Sequence, residues 1–378
     1  MNGGAVIYPP LDHWLWLLPV FLIGSCIGSF LNVVIYRLPL GMSVNKPSRS
    51  FCPHCKQPIP MWLNLPLVSW LWLRGKCAAC GAPIAVRYFG VELLTAVLFV
   101  ATWHLFPLPV VVFLWVLMAL LVAITFIDAE HLIIPTGLTW AGAVIGLGAG
   151  AAWPQLTALD GVAGIWRDGL QRGAIGWLAG FGGLWLVVEL GKLAFGKKAL
   201  HFQQPVAWHL KEPAGELDPM CFVIDGEEIA WWDMFSRKSD KLLVEATDIL
   251  VDGTTVGGGT LVIRELDITL PDGSLRHLAQ LQSLAGTATS VVIPREAMGI
   301  GDVHLLGMIG AFVGWSGVLC TLFAASLFAI TAAVIGRIGF GKQLPFGPFL
   351  AMGAVTWLFG AWRWWAWYLD FIGPLWIR

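Results

Sequence analysis

The chain is short of charge. Only 12% of its 378 residues are Asp, Glu, Lys or Arg, whereas 57% are hydrophobic. A soluble domain of this size carries about twice that charged fraction, so the composition excludes an ordinary soluble globular protein and predicts a polytopic membrane protein. The net charge of −1 gives no indication of nucleic-acid binding, and none is expected.

Acidic residues are missing from one long segment. Between Arg37 and Arg87 there are seven Lys or Arg residues and no Asp or Glu. Positively charged loops stay on the cytoplasmic side of a membrane, so this segment is predicted to be cytoplasmic. Phosphate-binding glycine spacing is also lacking, because Gly257–Gly259 matches neither GxGxxG nor GxxxxGK.

Apolar runs dominate the rest of the chain. Eight of them are interpreted as membrane helices, at 14–36, 88–106, 110–127, 137–153, 173–195, 303–315, 317–335 and 347–368. The first contains Gly24, Ser25, Gly28 and Ser29, and small residues at such spacings predict close contact with a neighbouring helix. Eight spans would put both chain termini outside the cell.

Four of the seven cysteines form two CxxC pairs in the basic segment. Cys52 and Cys55 are separated by 21 residues from Cys77 and Cys80. Each pair brings two thiolates to one side of a tight turn, and two such turns complete a tetrahedral Zn²⁺ site. Disulfides or free thiols are the alternatives, but a reducing cytoplasm disfavours disulfides. We predict a closed, structural zinc site.

A polar insert interrupts the apolar pattern. Of the 24 acidic residues, 14 lie between Glu212 and Asp272. Short β-type runs alternate with Asp-Gly turns in this part of the chain, which predicts a small strand-rich cytoplasmic domain. The predicted strands are Cys221–Ile224, Thr260–Ile263 and Ile268–Leu270, and the turns lie at residues 225–226, 252–253 and 272–273.

Together these features predict an all-α polytopic membrane protein of about eight transmembrane helices, with a small cytoplasmic zinc-binding loop domain and a strand-rich cytoplasmic insert. The expected divisions are a first transmembrane helix within 1–36, the zinc-binding domain at 37–87, helices two to five at 88–196, the insert at 197–292, and the last three helices at 293–378.

Two aspartates stand at predicted membrane boundaries. Asp302 follows Gly299 and Gly301 at the start of an apolar run, and Asp128 closes another run. An aspartate at a helix start is often only a cap. Two adjacent carboxyls cannot both ionise easily, however, so such a pair can hold one proton and activate water for peptide hydrolysis. A proton-coupled transporter could use the same pair.

Several motifs around these residues resemble one family. The chain is similar to the bacterial type IV prepilin peptidases, membrane aspartyl proteases with a GxGD motif, over nearly its whole length except the insert. The matching segments are GSCIGSFLNVVIYRLP (24–39), the CxxC pairs, RYFGVELLTA (87–96), FIDAEHLIIP (126–135), REAMGIGDVHLLGMIGAFVGW (295–315) and PFGPFLAMGA (345–354).

The resemblance implies a function and a set of residues. Asp128 and Asp302 correspond to the catalytic aspartates, and the cysteine quartet corresponds to the zinc ligands of bifunctional members. It implies cleavage of prepilin and pseudopilin leader peptides at the cytoplasmic face of the bacterial inner membrane. It also implies N-methylation of the new amino terminus from S-adenosyl-L-methionine.

The expected partners are those substrates, membrane lipid, and candidate assembly proteins of a pilus or secretion system. A protease-only member is the nearest alternative, although the intact CxxC pairs favour the bifunctional form. The chain departs from the family in two ways: His304 stands where lysine is more common, and the insert is extra.

Overall fold

The structure is a computed structural model, and it describes residues 14–157, 164–195, 197–212, 220–235, 240–294, 299–337 and 344–376. The chain divides into two compact units. One is helical and combines residues 1–184 with 300–378, and the other is built from strands and spans residues 185–299. Residues 1–13 of the first predicted segment and residues 295–298, which directly precede the GxGD motif, lie outside the described ranges.

Apolar sequence and helix coincide throughout the helical unit. Its α-helices are α1 (Leu17–Arg37), α2 (Val68–Trp72), α3 (Val86–Leu105), α4 (Val110–His131), α5 (Thr136–Ala152), α6 (Trp166–Phe195, which runs on into the second unit), α8 (Ile300–Ile335), α9 (Gly347–Thr356) and α10 (Trp362–Trp376). Within the described residues, five helices are long and apolar enough to cross a membrane, and α5 is a shorter apolar helix. A multi-helix architecture with several candidate membrane spans is thereby confirmed.

Small residues let α1 and α3 pack closely. A Cβ on Gly24 would lie 2.7 Å from Ala96 Cα, and a Cβ on Gly28 would lie 2.7 Å from Glu92 Cα. No real side chain tolerates such distances to a backbone, so both positions require glycine. The close helix contact predicted for this part of the chain is present, as expected for small residues four positions apart.

The long helix α8 folds back on itself at Gly314. That residue has φ 73° and ψ 178°, which ends one helical segment and begins another. Across the turn, Val318 Cγ2 would lie 2.8 Å from a Cβ on Gly310, whereas eight residues of straight helix rise about 12 Å. The two apolar runs predicted on either side of this point are therefore separate helical segments.

The first segment of α8 is enclosed by two other helices. On α5, Gly142 faces Met308 and Gly146 faces Phe312. On α6, Gly180 approaches the backbone of Leu306, where an added Cβ would lie only 2.4 Å from its carbonyl oxygen. Helix α4 packs against α1, α3, α5 and α9. These contacts hold the start of α8 and the end of α4 in one helical core.

The second unit is an eight-stranded sheet in which every pair of neighbours is antiparallel, with the order β3-β2-β1-β8-β4-β5-β6-β7. Its strands are β1 (Lys197–Lys211), β2 (Cys221–Ile224), β3 (Glu227–Ala230), β4 (Leu242–Val251), β5 (Thr254–Ile263), β6 (Asp267–Thr269), β7 (Leu275–His277) and β8 (Leu284–Pro294), with one helical turn, α7 (Trp231–Met234), after β3. Alternating burial along β4 and β8 directs one face into an apolar core around Trp208 and Phe222.

The strand-rich insert predicted from the sequence is confirmed. The positive φ values of Asp225 and Gly226 (51° and 78°), and of Asp252 and Gly253 (50° and 78°), define the two-residue turns of tight hairpins. The sequence pattern located β2 with its observed bounds, but found only the end of β5 and placed β6 one residue late. It did not predict β1, β4 or β8, whose mixed polar and apolar residues lack a continuous apolar run.

Candidate active site

Two buried carboxyl groups lie at helix ends in the helical unit. Asp128 is in the last turn of α4 and Asp302 is in the first turn of α8. Their relative exposures are 5% and 7%. Carboxylates this deeply buried are uncommon without a partner or a function, because desolvation penalises the charged form.

A third helix end meets Asp128. The backbone N–H of Gly347, the first residue of α9, donates a hydrogen bond of 2.9 Å to Asp128 Oδ2. A Cβ on Gly347 would lie 2.6 Å from the same oxygen, so only glycine permits this approach. The N-terminus of a helix carries partial positive charge, so the bond stabilises negative charge on Asp128.

Ile134 connects the two carboxyl-bearing helix ends. After α4, Leu132 adopts a left-handed conformation (φ 55°) and its N–H bonds to the Asp128 carbonyl, which turns the chain back. The Ile134 side chain then reaches both glycines: a Cβ on Gly301 would lie 2.8 Å from Ile134 Cβ, and one on Gly347 would lie 3.2 Å from its Cδ1. The two aspartates are consequently neighbours, and the charge of Asp128 acts on Asp302.

Asp302 differs from Asp128 in its hydrogen bonding. Its Oδ1 is buried and has no hydrogen-bond partner within the described ranges. A helix-capping aspartate would bond to nearby backbone amides, so the simple capping interpretation does not account for this oxygen. A buried carboxyl oxygen that accepts no hydrogen bond is the better place for a proton, whereas the carboxyl that accepts from Gly347 is the better place for charge.

Two neighbouring side chains face away from the carboxyl pair. Glu130, two positions after Asp128, forms an ion pair with Arg87 of α3. His304, two positions after Asp302, packs its ring against Trp140 and Phe181, with centroid separations of 5.7 and 5.2 Å. Because two residues advance a helix by about 200°, Glu130 and His304 point to other sides of their helices than the two aspartates do. His304, which stands where lysine is more common in the family, therefore lies among aromatic side chains of α5 and α6.

The contact of Gly347 with Asp128 was not predicted from the sequence. Its segment, PFGPF, contributed only to the family resemblance, and no local pattern indicated that its amide would meet Asp128. The available signal was the proline that follows it, since Gly-Pro at the start of an apolar run predicts a helix N-terminus.

The four CxxC cysteines converge in the same unit. The Sγ atoms of Cys52, Cys55, Cys77 and Cys80 all lie within 4.8 Å of one another, and Cys52 and Cys80 are 3.9 Å apart. Four sulfurs around tetrahedral Zn²⁺ are separated by about 3.8 Å. The donor set and its spacing therefore fit a metal ion, and the predicted cysteine cluster is confirmed.

The two CxxC turns have the same backbone construction. In the first, Cys52 N–H bonds to the Gln57 carbonyl and Lys56 has φ 59°. In the second, Cys77 N–H bonds to the Ala82 carbonyl and Gly81 has φ 72°. The backbone N–H groups of Cys80 and Ala79 also lower the pKa of the Cys77 thiol to about 6, which favours the thiolate that binds a metal.

Comparison with known families finds similarity to two family models of bacterial peptidases. The family model described as "Bacterial Peptidase A24 N-terminal domain" matches residues 22–106. The family model described as "Type IV leader peptidase family" matches residues 254–334. The first match contains the cysteine cluster and the second contains Asp302. No solved structure matches the chain.

Three similar curated proteins carry the name "Prepilin leader peptidase/N-methyltransferase". The chain is 43% identical to a protein of Myxococcus xanthus over 42% of its own length and 45% of the relative. It is 38% identical to a protein of Aeromonas hydrophila, over 50% of the chain and 69% of the relative. It is 37% identical to a protein of Klebsiella pneumoniae, over 52% of the chain and 82% of the relative. The chain belongs to the type IV leader peptidase family, although it spans less than half of the Myxococcus relative.

Proposed function

We propose that this protein cleaves the leader peptides of type IV prepilins and pseudopilins, and then N-methylates the new amino-terminal residue. Cleavage takes place at the cytoplasmic face of the bacterial inner membrane. The observation that carries the proposal is the burial of Asp128 and Asp302 as neighbours at helix ends, in a chain of this family.

In the proposed hydrolysis the aspartate pair shares one proton. Asp128, stabilised as an anion by the Gly347 N–H, takes a proton from water, and the water oxygen attacks the scissile carbonyl carbon. Asp302 gives its proton to the carbonyl oxygen, which forms a neutral gem-diol. As the C–N bond breaks, Asp128 protonates the leaving amine and Asp302 recovers a proton from a gem-diol hydroxyl, so both return to their starting states.

The helical unit in this proposal crosses the membrane eight times. Breaking α8 at Gly314 yields two of the spans, and α9 with α10 yields the last. The segment from Ile300 to Val313 is about 21 Å long, shorter than a hydrocarbon core of about 30 Å. A short span of this kind favours a site slightly below the membrane surface, where the apolar helix of a pilin begins.

The cysteine cluster holds Zn²⁺ in this proposal. Cys52 and Cys55 join Cys77 and Cys80 around the ion, which leaves no coordination position for a substrate. The role is therefore structural: it ties the two CxxC turns together on the cytoplasmic side. S-adenosyl-L-methionine supplies an electrophilic methyl carbon to the neutral substrate amine, which loses one proton as the donor leaves as S-adenosylhomocysteine.

Mass spectrometry of a co-expressed prepilin tests cleavage and methylation together. We expect the mature amino terminus to begin after the leader and to carry one additional methyl group. An intact leader would reject the peptidase assignment and would revive the transporter alternative. A cleaved but unmethylated terminus would identify a protease-only member.

A further inference from the structure

A cavity of about 460 Å³ lies between the cytoplasmic-side ends of α1 and α3 and the cysteine-containing loops. Its lining includes Ser29 and Asn32 of α1, Glu92 of α3, Phe51 of the first CxxC turn and Glu130 of α4. Sites for small molecules typically measure 300–1,000 Å³. The size therefore suits a cofactor better than a single water or metal ion.

Two polar atoms on lining residues of this cavity are buried without partners. The Asn32 side chain is 3% exposed, and its Nδ2 donates to the Tyr88 carbonyl at 2.9 Å. Its Oδ1 has no partner in the described part of the chain, and neither has Arg87 Nε. An unpaired buried acceptor or donor costs about 1–3 kcal/mol, and most such groups in proteins bind water or a ligand. Both residues line the cavity, so a ligand bound there is the candidate partner for these two atoms.

Glu92 adds a buried carboxyl group to the same surface. Its side chain accepts hydrogen bonds from the Leu67 N–H (2.7 Å) and from Ser29, and the residue is only 9% exposed. Within the described residues, no basic side chain forms an ion pair with Glu92. A neighbouring cation stabilises the charged form of a buried carboxyl, so Glu92 favours a ligand that carries positive charge.

Aromatic rings complete the lining. Tyr36, Phe51, Trp70 and Tyr88 all border the cavity. Flat aromatic faces favour stacking with a planar heterocycle and attract a cation. Two of these rings already hold a cation on one face, since Arg37 lies 5.6 Å from the Phe51 centroid and Arg87 lies 4.7 Å from the Tyr88 centroid. A ligand that combines a planar base with a cationic centre satisfies the rings and Glu92 together, which an acyl chain or a simple metal ion does not.

We propose that this cavity binds the methyl donor, a nucleoside that carries a sulfonium centre, with Glu92 facing the positive charge and Asn32 accepting a hydrogen bond. The inference rests on the proposed methyltransferase function. Glu130 lines the cavity and is two residues from Asp128 on α4, but the two side chains face different sides of that helix. The amine released at the aspartate pair therefore has to pass around the end of α4 to reach the donor.

Calorimetry on the purified full chain, with substrate absent, tests the role of Glu92. The probes are S-adenosylmethionine, whose sulfur is charged, and S-adenosylhomocysteine, whose sulfur is neutral. For Glu92→Gln we expect at least a tenfold weaker Kd for the charged probe and a much smaller change for the neutral one. Glutamine keeps an acceptor for the Leu67 amide, so a merely structural Glu92 would leave both affinities unchanged or lower them equally. Either of those results overturns the proposal.

A matched control is Glu245→Gln, which makes the same chemical change at an exposed position of β4, and it should bind both probes like the wild type. Metal content and thermal midpoint establish that Glu92→Gln is folded.

Photo-crosslinking of S-adenosylmethionine to the wild-type protein avoids the risk that the variant does not fold. We expect the label within residues 29–92 or at Glu130, and a label found only elsewhere rejects the cavity. A wild type that methylates prepilin but labels elsewhere disproves this inference alone, whereas a wild type that never methylates disproves the proposed function.

Discussion

The backbone N–H of Gly347 donates to Asp128 Oδ2 across 2.9 Å, joining residues that are 219 positions apart in the chain. The contact ties the beginning of α9 to the end of α4. It also makes the two carboxyls chemically unequal, because the corresponding bond is lacking at Asp302 Oδ1 within the described residues. This inequality is the physical basis for assigning the base to one aspartate and the proton to the other.

Gly347→Ala should greatly impair leader cleavage. The added Cβ would lie 2.6 Å from Asp128 Oδ2, so either the carboxyl or α9 must move. Misplacement of a catalytic group by about 1 Å can cost about 100-fold in rate, and we expect a loss in kcat/KM of that order in a prepilin cleavage assay.

The control for this change is Gly137→Ala. Gly137 also lies in the first turn of a helix, α5, and a Cβ there meets no atom within 4 Å. Its cleavage rate should stay within about twofold of wild type. Equal rates for the Gly347 and Gly137 variants would show that the Gly347 contact does not position Asp128.

Asp128→Asn and Asp302→Asn should each abolish leader cleavage. Asparagine keeps the size of the side chain but can neither accept a proton from water nor deliver one in the proposed cycle. We expect a loss of at least about 1,000-fold for each, within the scale of general acid–base catalysis, and a double variant no worse than either single one. Asp248→Asn, at an exposed position of β4, is the matched control. Normal processing by either single variant would refute the paired-aspartate mechanism.

Much of the helical architecture was predictable because long apolar runs permit little else in a membrane protein. The cysteine cluster was also predictable, since CxxC spacing defines local turn geometry. The contact between Gly347 and Asp128 was not predictable from local pattern, because it depends on packing between helices distant in sequence. Among the strands, β4 and β8 escaped prediction because the register shifts where they pair, and this interrupts the alternation of buried and exposed residues.

Zinc binding can be separated from catalysis by changing one cysteine. Cys52 is 4% exposed and lies 3.9 Å from Cys80 across the cluster, so Cys52→Ser should reduce bound zinc from about one ion per chain to a small fraction. Elemental analysis of protein purified in reducing buffer measures the number of zinc ions per chain. Cys26→Ser, which changes an exposed thiol of α1, should retain full zinc. A wild type without zinc under these conditions would contradict the metal assignment.

The close approach of α1 to α3 predicts opposite effects for two similar substitutions. Gly28→Ala introduces a Cβ 2.7 Å from Glu92 Cα, and the backbone there cannot yield without separating the helices. Overpacking of this kind costs about 1–3 kcal/mol, so the thermal midpoint in detergent should fall by several degrees. Gly90→Ala, on α3, meets no atom within 4 Å and gains helix propensity of up to about 1 kcal/mol, so its midpoint should stay level or rise. A drop of the same size in both variants would mean that glycine at position 28 is not required for packing.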